Sequence, residues 1–199
     1  LPEPLSLSGA TKADQMEHLH RLALACNHCP HLVATRTQVV VGVGNIDADL
    51  MFVGEAPGAD EDRLGEPFVG RAGQLLTKMI ETMGLSRSQV YIGNVLKCRP
   101  DMPKGSAGNR QPTESEMAKC LHYLKTQIEI IRPKVIVTLG ATAIQGLLGL
   151  EGGVSWNRGR WRSYDGIPVM PTYHPAYLLR SGSIENKRKV WEDLLAVME

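Results

Sequence analysis

Apolar positions along the chain follow two alternating patterns. Short, nearly unbroken apolar runs lie at 49–53 (DLMFV), 90–95 (VYIGNV), 135–139 (VIVTL) and 167–170 (IPVM), and each leads into a loop containing Gly, Pro, Asn or His. Runs of this length without polar alternation predict strands buried on both faces, as in a parallel sheet. A further run at 38–43 (QVVVGV) predicts an edge strand or hairpin. Between the runs the period changes to that of a helix. Leu75, Leu76, Met79, Ile80 and Met83 share one face, and Gly84 is placed to stop that helix. Thr113 and Glu116 form a capping box, after which Met117, Leu121, Leu124, Ile128 and Ile131 recur at three and four until Pro133, predicting a helix over 113–132. Further helices are expected over 11–25, over 141–148, and through Val190, Trp191, Leu194, Leu195 and Met198.

Strand–helix alternation with long connections implies right-handed crossovers, hence a three-layer α/β/α sandwich around a central four-stranded parallel sheet. Functional groups in such sheets gather at the carboxyl ends of the strands. The unusual residues do collect there: Gly54-Glu55-Ala56-Pro57-Gly58 follows the first core strand, Asn94 ends the second, and Thr172-Tyr173-His174-Pro175 follows the last.

Composition narrows the class without naming a chemistry. The 199 residues suit one domain spanning 1–199, and 43% hydrophobic with 22% charged residues excludes disordered and fibrous chains. A formal charge of +1 means that a polyanion partner must be met by a local basic patch. No apolar stretch approaches the ~18 residues of a membrane span, and Leu1 to Thr11 lacks the pattern of a signal peptide. A cytoplasmic location without a membrane partner is the expectation.

In a reducing compartment four cysteines are expected to be free, catalytic or metal-bound. Cys26 and Cys29 form a C-x2-C, and Cys98 and Cys120 complete a set of four. Four thiolates suit zinc or an iron–sulfur cluster. The wide spacing of the second pair leans away from a zinc ribbon and toward a cluster. Buried thiols with no ligand are the plain alternative. His28 and His31, beside the first pair, read as surface groups or neighbours of the ligands.

The loop after the first core strand carries four carboxylates within eight residues, Glu55, Asp60, Glu61 and Asp62, and lacks a G-x-x-x-x-G-K-[ST] phosphate cradle. Together with later segments of the chain, this loop carries a resemblance. GEAPGADED with GEPFVGRAGQLL, then GNVLKCRP, NRQPT and HPAYLLR resemble, in order, the family 4 uracil-DNA glycosylases, the iron–sulfur branch of their superfamily. The likeness runs from about Cys26 to the C-terminus.

The resemblance implies a [4Fe–4S] cluster on Cys26, Cys29, Cys98 and Cys120, completed by the N-terminal helix and C-x2-C segment. It implies hydrolysis of the deoxyuridine N-glycosidic bond in single- and double-stranded DNA, with uracil as product, at the start of base excision repair. A monomer in a prokaryotic cytoplasm or nucleoid fits that work. Such an enzyme must extrude a nucleotide, hold its base, and stabilise charge on both fragments as the bond breaks. Phe68 is the candidate to stack on the base, unless it belongs to the core. The Asn94 amide is the candidate to pair with uracil O4 and N3–H, unless it merely stabilises a strand end. His174 would donate to uracil O2. Leu178 resembles the wedge that fills the vacated stack, with Tyr177 and Leu179 able to share the role. The best-known branch has Asp where this chain has Ala56, so Glu55 is the expected water-handling carboxylate and Glu61 the reserve, with a second possible role near uracil C5.

Arg180, the segment Trp156 to Arg162, and Lys187, Arg188 and Lys189 are candidate phosphate contacts. Asp101 to Gly108 form an insertion relative to the family. A related branch carries there a His that traps the sugar covalently; this insertion has none, and only Lys104 offers a nucleophile. The rival reading is a protein that captures uracil-DNA, reversibly or covalently, without turnover.

Overall fold

The computed structural model describes residues 2 and 5–199. Along the chain lie α1 (Lys12–Leu24), α2 (Pro30–Thr35), β1 (Val43–Gly44), β2 (Leu50–Gly54), α3 (Ala59–Leu64) and α4 (Arg71–Thr82). There follow β3 (Tyr91–Asn94), α5 (Glu114–Ile131), β4 (Val135–Leu139), α6 (Ala141–Leu148) and α7 (Gly153–Asn157). The chain closes with β5 (Arg162–Tyr164), β6 (Ile167–Thr172), α8 (Pro175–Ser181) and α9 (Ile184–Met198).

The four expected strands form a parallel core in the order β3-β2-β4-β6. The sheet nevertheless has six strands, because β1 and β5 add to its edges antiparallel. The apolar run at 38–43 supplies only the start of β1; Val39, Val40 and Val41 are buried without being strand. Strand β5 is short, polar and half-buried, as an edge permits.

Helices cover both faces. One core joins Phe52, Ile92, Val137 and Met170 of the sheet to Leu76 and Ile80 of α4 and Val190 and Leu194 of α9. The other joins Met51, Val53, Ile136 and Val169 to Leu124, Ile128 and Ile131 of α5 and Ala143 and Leu147 of α6. Alternate residues of each strand thus serve opposite cores. A third cluster packs Leu19 and Ala23 of α1 and Leu32 of α2 against α5, and includes Cys29, Cys98 and Cys120. Helix α5 begins at the expected capping box, where Thr113 accepts the Glu116 N–H and Glu116 accepts the Thr113 N–H. Among the described residues no helix is long and apolar enough to cross a membrane.

Candidate functional site

A cavity of about 730 Å³ opens at the carboxyl ends of the parallel strands. Its walls bring together Glu55, Ala56, Glu61, Phe68, Asn94, His174 and Arg180, residues separated by up to 125 positions in the chain. The topology explains the convergence: β2 ends before Glu55, β3 ends at Asn94, and β6 delivers Tyr173 and His174.

Asn94 pairs in register with Gly54 across the β2–β3 ladder. Its side chain is buried, and its Oδ1 has no hydrogen-bond partner. A Cβ on Gly54 would stand 2.5 Å from that oxygen and 2.5 Å from the Phe68 ring, so glycine is what lets amide and ring share the cavity floor. Phe68 is 6% exposed and belongs to the core while also lining the cavity.

Phe68 holds a left-handed backbone, φ 53°, that a bulky residue rarely adopts. Arg87 secures it by donating to the Phe68 carbonyl at 3.0 Å and to that of Pro67 at 2.9 Å. Gly73 leaves room for the Phe68 carbonyl, on which any Cβ would fall. Glu61 acts from the other side, its Oε1 accepting the N–H groups of Val69 (3.2 Å) and Gly70 (3.1 Å).

His174 caps α8. Its Nδ1 accepts the Ala176 N–H at 3.0 Å, and its ring lies 5.5 Å from that of Phe68. Burial, reinforced by the Arg180 charge, pushes His174 down to about 4. The ring is therefore neutral near pH 7, with its proton on Nε2. Glu55 accepts a hydrogen bond from the Thr142 hydroxyl at 2.5 Å. Burial raises its pKa against the opposing pull of Thr142 and Arg180.

Leu178, the expected wedge, is buried in the DNA-free structure. It is 2% exposed and packs in the core, because the turn of α8 that presents Tyr177 and Leu179 outward points Leu178 inward. The basic candidates also separate. Trp156, Trp161 and Arg160 are exposed, with Arg160 4.8 Å above the Trp156 ring. Arg158 instead pairs with buried Asp193 at 2.6 Å, and Arg162 donates to Asn157 at 3.2 Å. Lys189 and Arg188 pair along α9 with Glu185 and Glu192. Lys104 is exposed and does not line the cavity, whose wall on that side is Asn109, Arg110 and Gln111.

The four cysteines are free and gather where α1, α2, the loop after β3 and α5 meet. Burial raises the pKa of Cys29 and Cys98 and pushes Cys120 up to about 12, and mutual repulsion with the other cysteines adds to each. Without a cation these groups stay neutral thiols, and a bound cation would draw them to thiolates. Two donors already point at the cysteines: the Lys97 N–H to Cys120 Sγ (3.3 Å) and Arg36 to Cys98 Sγ (3.4 Å). Among the described residues the only trio of His, Cys, Asp or Glu ligand atoms lying within 4.8 Å of one another is His31, Asp101 and Glu116. Four gathered cysteines with an N–H and a guanidinium aimed at two of them are a donor set that fits a metal or an iron–sulfur cluster. The His31, Asp101 and Glu116 group is itself tied up by Arg110, which pairs with Asp101 at 2.5 Å and Glu116 at 2.6 Å and latches the insertion to the start of α5.

Four supporting residues escaped sequence reasoning: Arg87, Thr142, Lys97 and Gln127. Lys97 is 1% exposed and Gln127 fully buried, yet each sits among apolar neighbours with no local signal of its role.

Comparison with known proteins agrees with this geometry. Residues 41–195 match the model of the uracil DNA glycosylase superfamily, so the match begins beyond Cys26 and Cys29. The chain is 47% identical to the type-4 uracil-DNA glycosylase of Thermotoga maritima over 188 residues, covering 92% of this chain and 93% of that protein. It is 44% identical to the protein of that name from Archaeoglobus fulgidus, covering 83% and 84%, and 43% identical to that of Sulfurisphaera tokodaii, covering 90% and 81%.

Proposed function

This chain belongs to the uracil-DNA glycosylase superfamily, and we propose that it works as a type-4 member, releasing uracil from DNA by hydrolysis and leaving an abasic site. The observation that carries the reading is the buried Asn94 amide, with Oδ1 unpartnered, on the floor of a cavity shared with Phe68 and His174. An unpaired buried acceptor costs about 1–3 kcal/mol, and a ligand that supplies the missing donor recovers it. Uracil does so: its N3–H meets Oδ1 while the amide NH2 meets O4. Cytosine presents an acceptor and a donor in the reverse order.

The other groups then take consistent positions. The base stacks against Phe68. As the C1′–N1 bond breaks, its electron pair passes to the leaving uracil, and the Nε2–H of neutral His174 donates to O2, where charge accumulates. The positive sugar faces the carboxylate of Glu55, which also orients the water whose oxygen bonds to C1′ and whose proton is lost to solvent. Thr142 fixes that carboxylate, and Arg180 stands at the rim to meet a phosphate.

Leu179 and Tyr177, exposed on α8, are the groups able to enter the stack. Exposed Trp156, Arg160 and Trp161 extend the contact surface. Cys26, Cys29, Cys98 and Cys120 would hold a [4Fe–4S] cluster whose contribution is structural, cross-linking the N-terminal segment to the loop after β3 and to α5. All of this lies in one domain, acting as a monomer on single- and double-stranded DNA in the cytoplasm. The direct test is single-turnover release of uracil from a defined oligonucleotide by wild type and by Asn94→Ala. Release that is fast with the first and slow with the second is expected, and equal rates would remove Asn94 from the base pocket.

A further inference from the structure

Lys97 is the one lysine buried to 1% exposure among the described residues, and its ammonium, main-chain N–H and carbonyl all have partners. Its Nζ donates to the Asn94 main-chain oxygen at 2.9 Å and to Gln127 Oε1 at 2.7 Å. Its main-chain N–H points at Cys120 Sγ, and its carbonyl accepts the Val40 N–H at 2.7 Å. Gln127 in turn donates to the Val41 carbonyl at 2.8 Å and to the Tyr91 hydroxyl at 2.9 Å. No carboxylate partners the ammonium; both its acceptors are neutral. Stability alone would be better served by an apolar side chain of the same length, because burying a charge against neutral groups is costly.

The arrangement has a mechanical consequence at the cavity. Asn94 is the last residue of β3; the Val95 and Leu96 N–H groups beyond it still donate to the Gly54 and Glu55 carbonyls at 3.0 Å, but the Oδ1 of the Asn94 side-chain amide has no partner to hold it. The aim of that amide is thus set by the main chain it hangs from. The acceptor on that main chain is taken by a side chain three residues on, which curls back through the turn at 95–97.

We propose that Lys97 is a positioning residue for base recognition: it fixes the main chain of Asn94 and, through Gln127 and Cys120, ties that strand end to the cysteine-bearing helix α5. The strut makes order in the four-cysteine region a condition for aiming the amide. The proposal rests on the assignment of Asn94 to the uracil edge.

The test is a double-mutant cycle on single-turnover uracil release, using the full chain purified with its native metal content. Lys97→Met keeps the length and removes the donor. It is expected to slow release about 10-fold or more while circular dichroism and the visible absorbance of the cysteine site stay as in wild type. The decisive variant is the double, Asn94→Ala with Lys97→Met. If Lys97 acts through Asn94, the double is no slower than Asn94→Ala alone, within about twofold. Effects that multiply, or a Lys97→Met protein at the wild-type rate, overturn the proposal. Should Lys97→Met fail to fold, Gln127→Met, which removes the second acceptor, is run through the same cycle. If neither folds, Lys97 is a structural residue only and the proposal fails. A wild type that releases no uracil, or Asn94→Ala at the wild-type rate, overturns the underlying assignment and this inference with it.

Discussion

The ring of His174 is oriented by Ala176, whose main-chain N–H donates to Nδ1 at 3.0 Å. That bond leaves Nε2 as the proton-bearing atom of a neutral ring, and burial with the Arg180 charge keeps it neutral down to about pH 4. The expected pH–rate profile therefore shows no inflection near the ordinary histidine value of ~6.5. His174→Ala should slow single-turnover excision by at least ~100-fold with DNA affinity little changed, because the proposed donor would act on charge that exists only in the transition state. Stability follows the same protonation. The unfolded chain takes up a proton near ~6.5 that the folded ring refuses, so the contribution is present above that pH and lost as pH falls toward about 4. Chemical denaturation from pH 7.5 to 4.5 should show a smaller loss for His174→Ala than for wild type.

Glu55 carries the opposite sign. Its pKa is raised by burial, so the folded state favours the protonated form, and the ionised carboxylate that the proposed mechanism uses costs stability near neutrality. Glu55→Gln should slow excision by ~100-fold or more yet melt at a higher temperature than wild type at pH 7.5. Below the unfolded-state value of ~4.5 that advantage should vanish. A variant that is both less active and less stable at pH 7.5 would make Glu55 a structural group.

Neighbours on α8 separate core from contact. Leu178→Ala, at a site 2% exposed, should cost about 2–5 kcal/mol of stability. Leu179→Ala, 42% exposed, should leave the melting temperature nearly unchanged and reduce excision from duplex DNA more than from single strands, where no stack has to be filled. Equal activity of Leu179→Ala on both substrates would remove the wedge from this residue.

The cysteine site predicts a brown protein with ~4 iron and ~4 acid-labile sulfide per chain and broad absorbance near ~400 nm. Because the site joins three segments, Cys29→Ala should melt at a lower temperature and should lose order in α1 and α2 first, read by hydrogen exchange. Stoichiometric zinc without iron after anaerobic purification would contradict the cluster.

Much of this architecture was legible from periodicity because its core strands are buried on both faces. Leu50 to Gly54 and Val135 to Leu139 stand out as apolar runs for that reason. Strand β5 was not legible, since Arg162, Ser163 and Tyr164 pair only at an edge and show no burial pattern. Helix α3 hid inside what reads as an acidic turn; Asp60, Glu61 and Asp62 in its first turn favour a helix N-terminus and were the available signal. The site residues drew notice because glycines, prolines and a histidine gather at strand ends, whereas the roles of Phe68, Asn94 and His174 rested on the family motif. The burial of Leu178 was not legible in the motif, which says nothing of which way a helix turns. Lys97 bonds to Gln127 across 30 residues, as well as to nearby Asn94, and Thr142 to Glu55 across 87, and local pattern cannot report such distant pairs.

Hydrolytic turnover on uracil is met most directly by one measurement: a defined uracil-containing oligonucleotide in excess over protein, with free uracil quantified and the DNA run on a denaturing gel. Several equivalents of free uracil per protein are expected, with abasic DNA migrating without attached polypeptide, because the insertion from Asp101 to Gly108 has no His and its Lys104 lies outside the cavity wall. Absence of free uracil, or a single equivalent with DNA shifted into a boiling-resistant adduct, would contradict hydrolytic turnover.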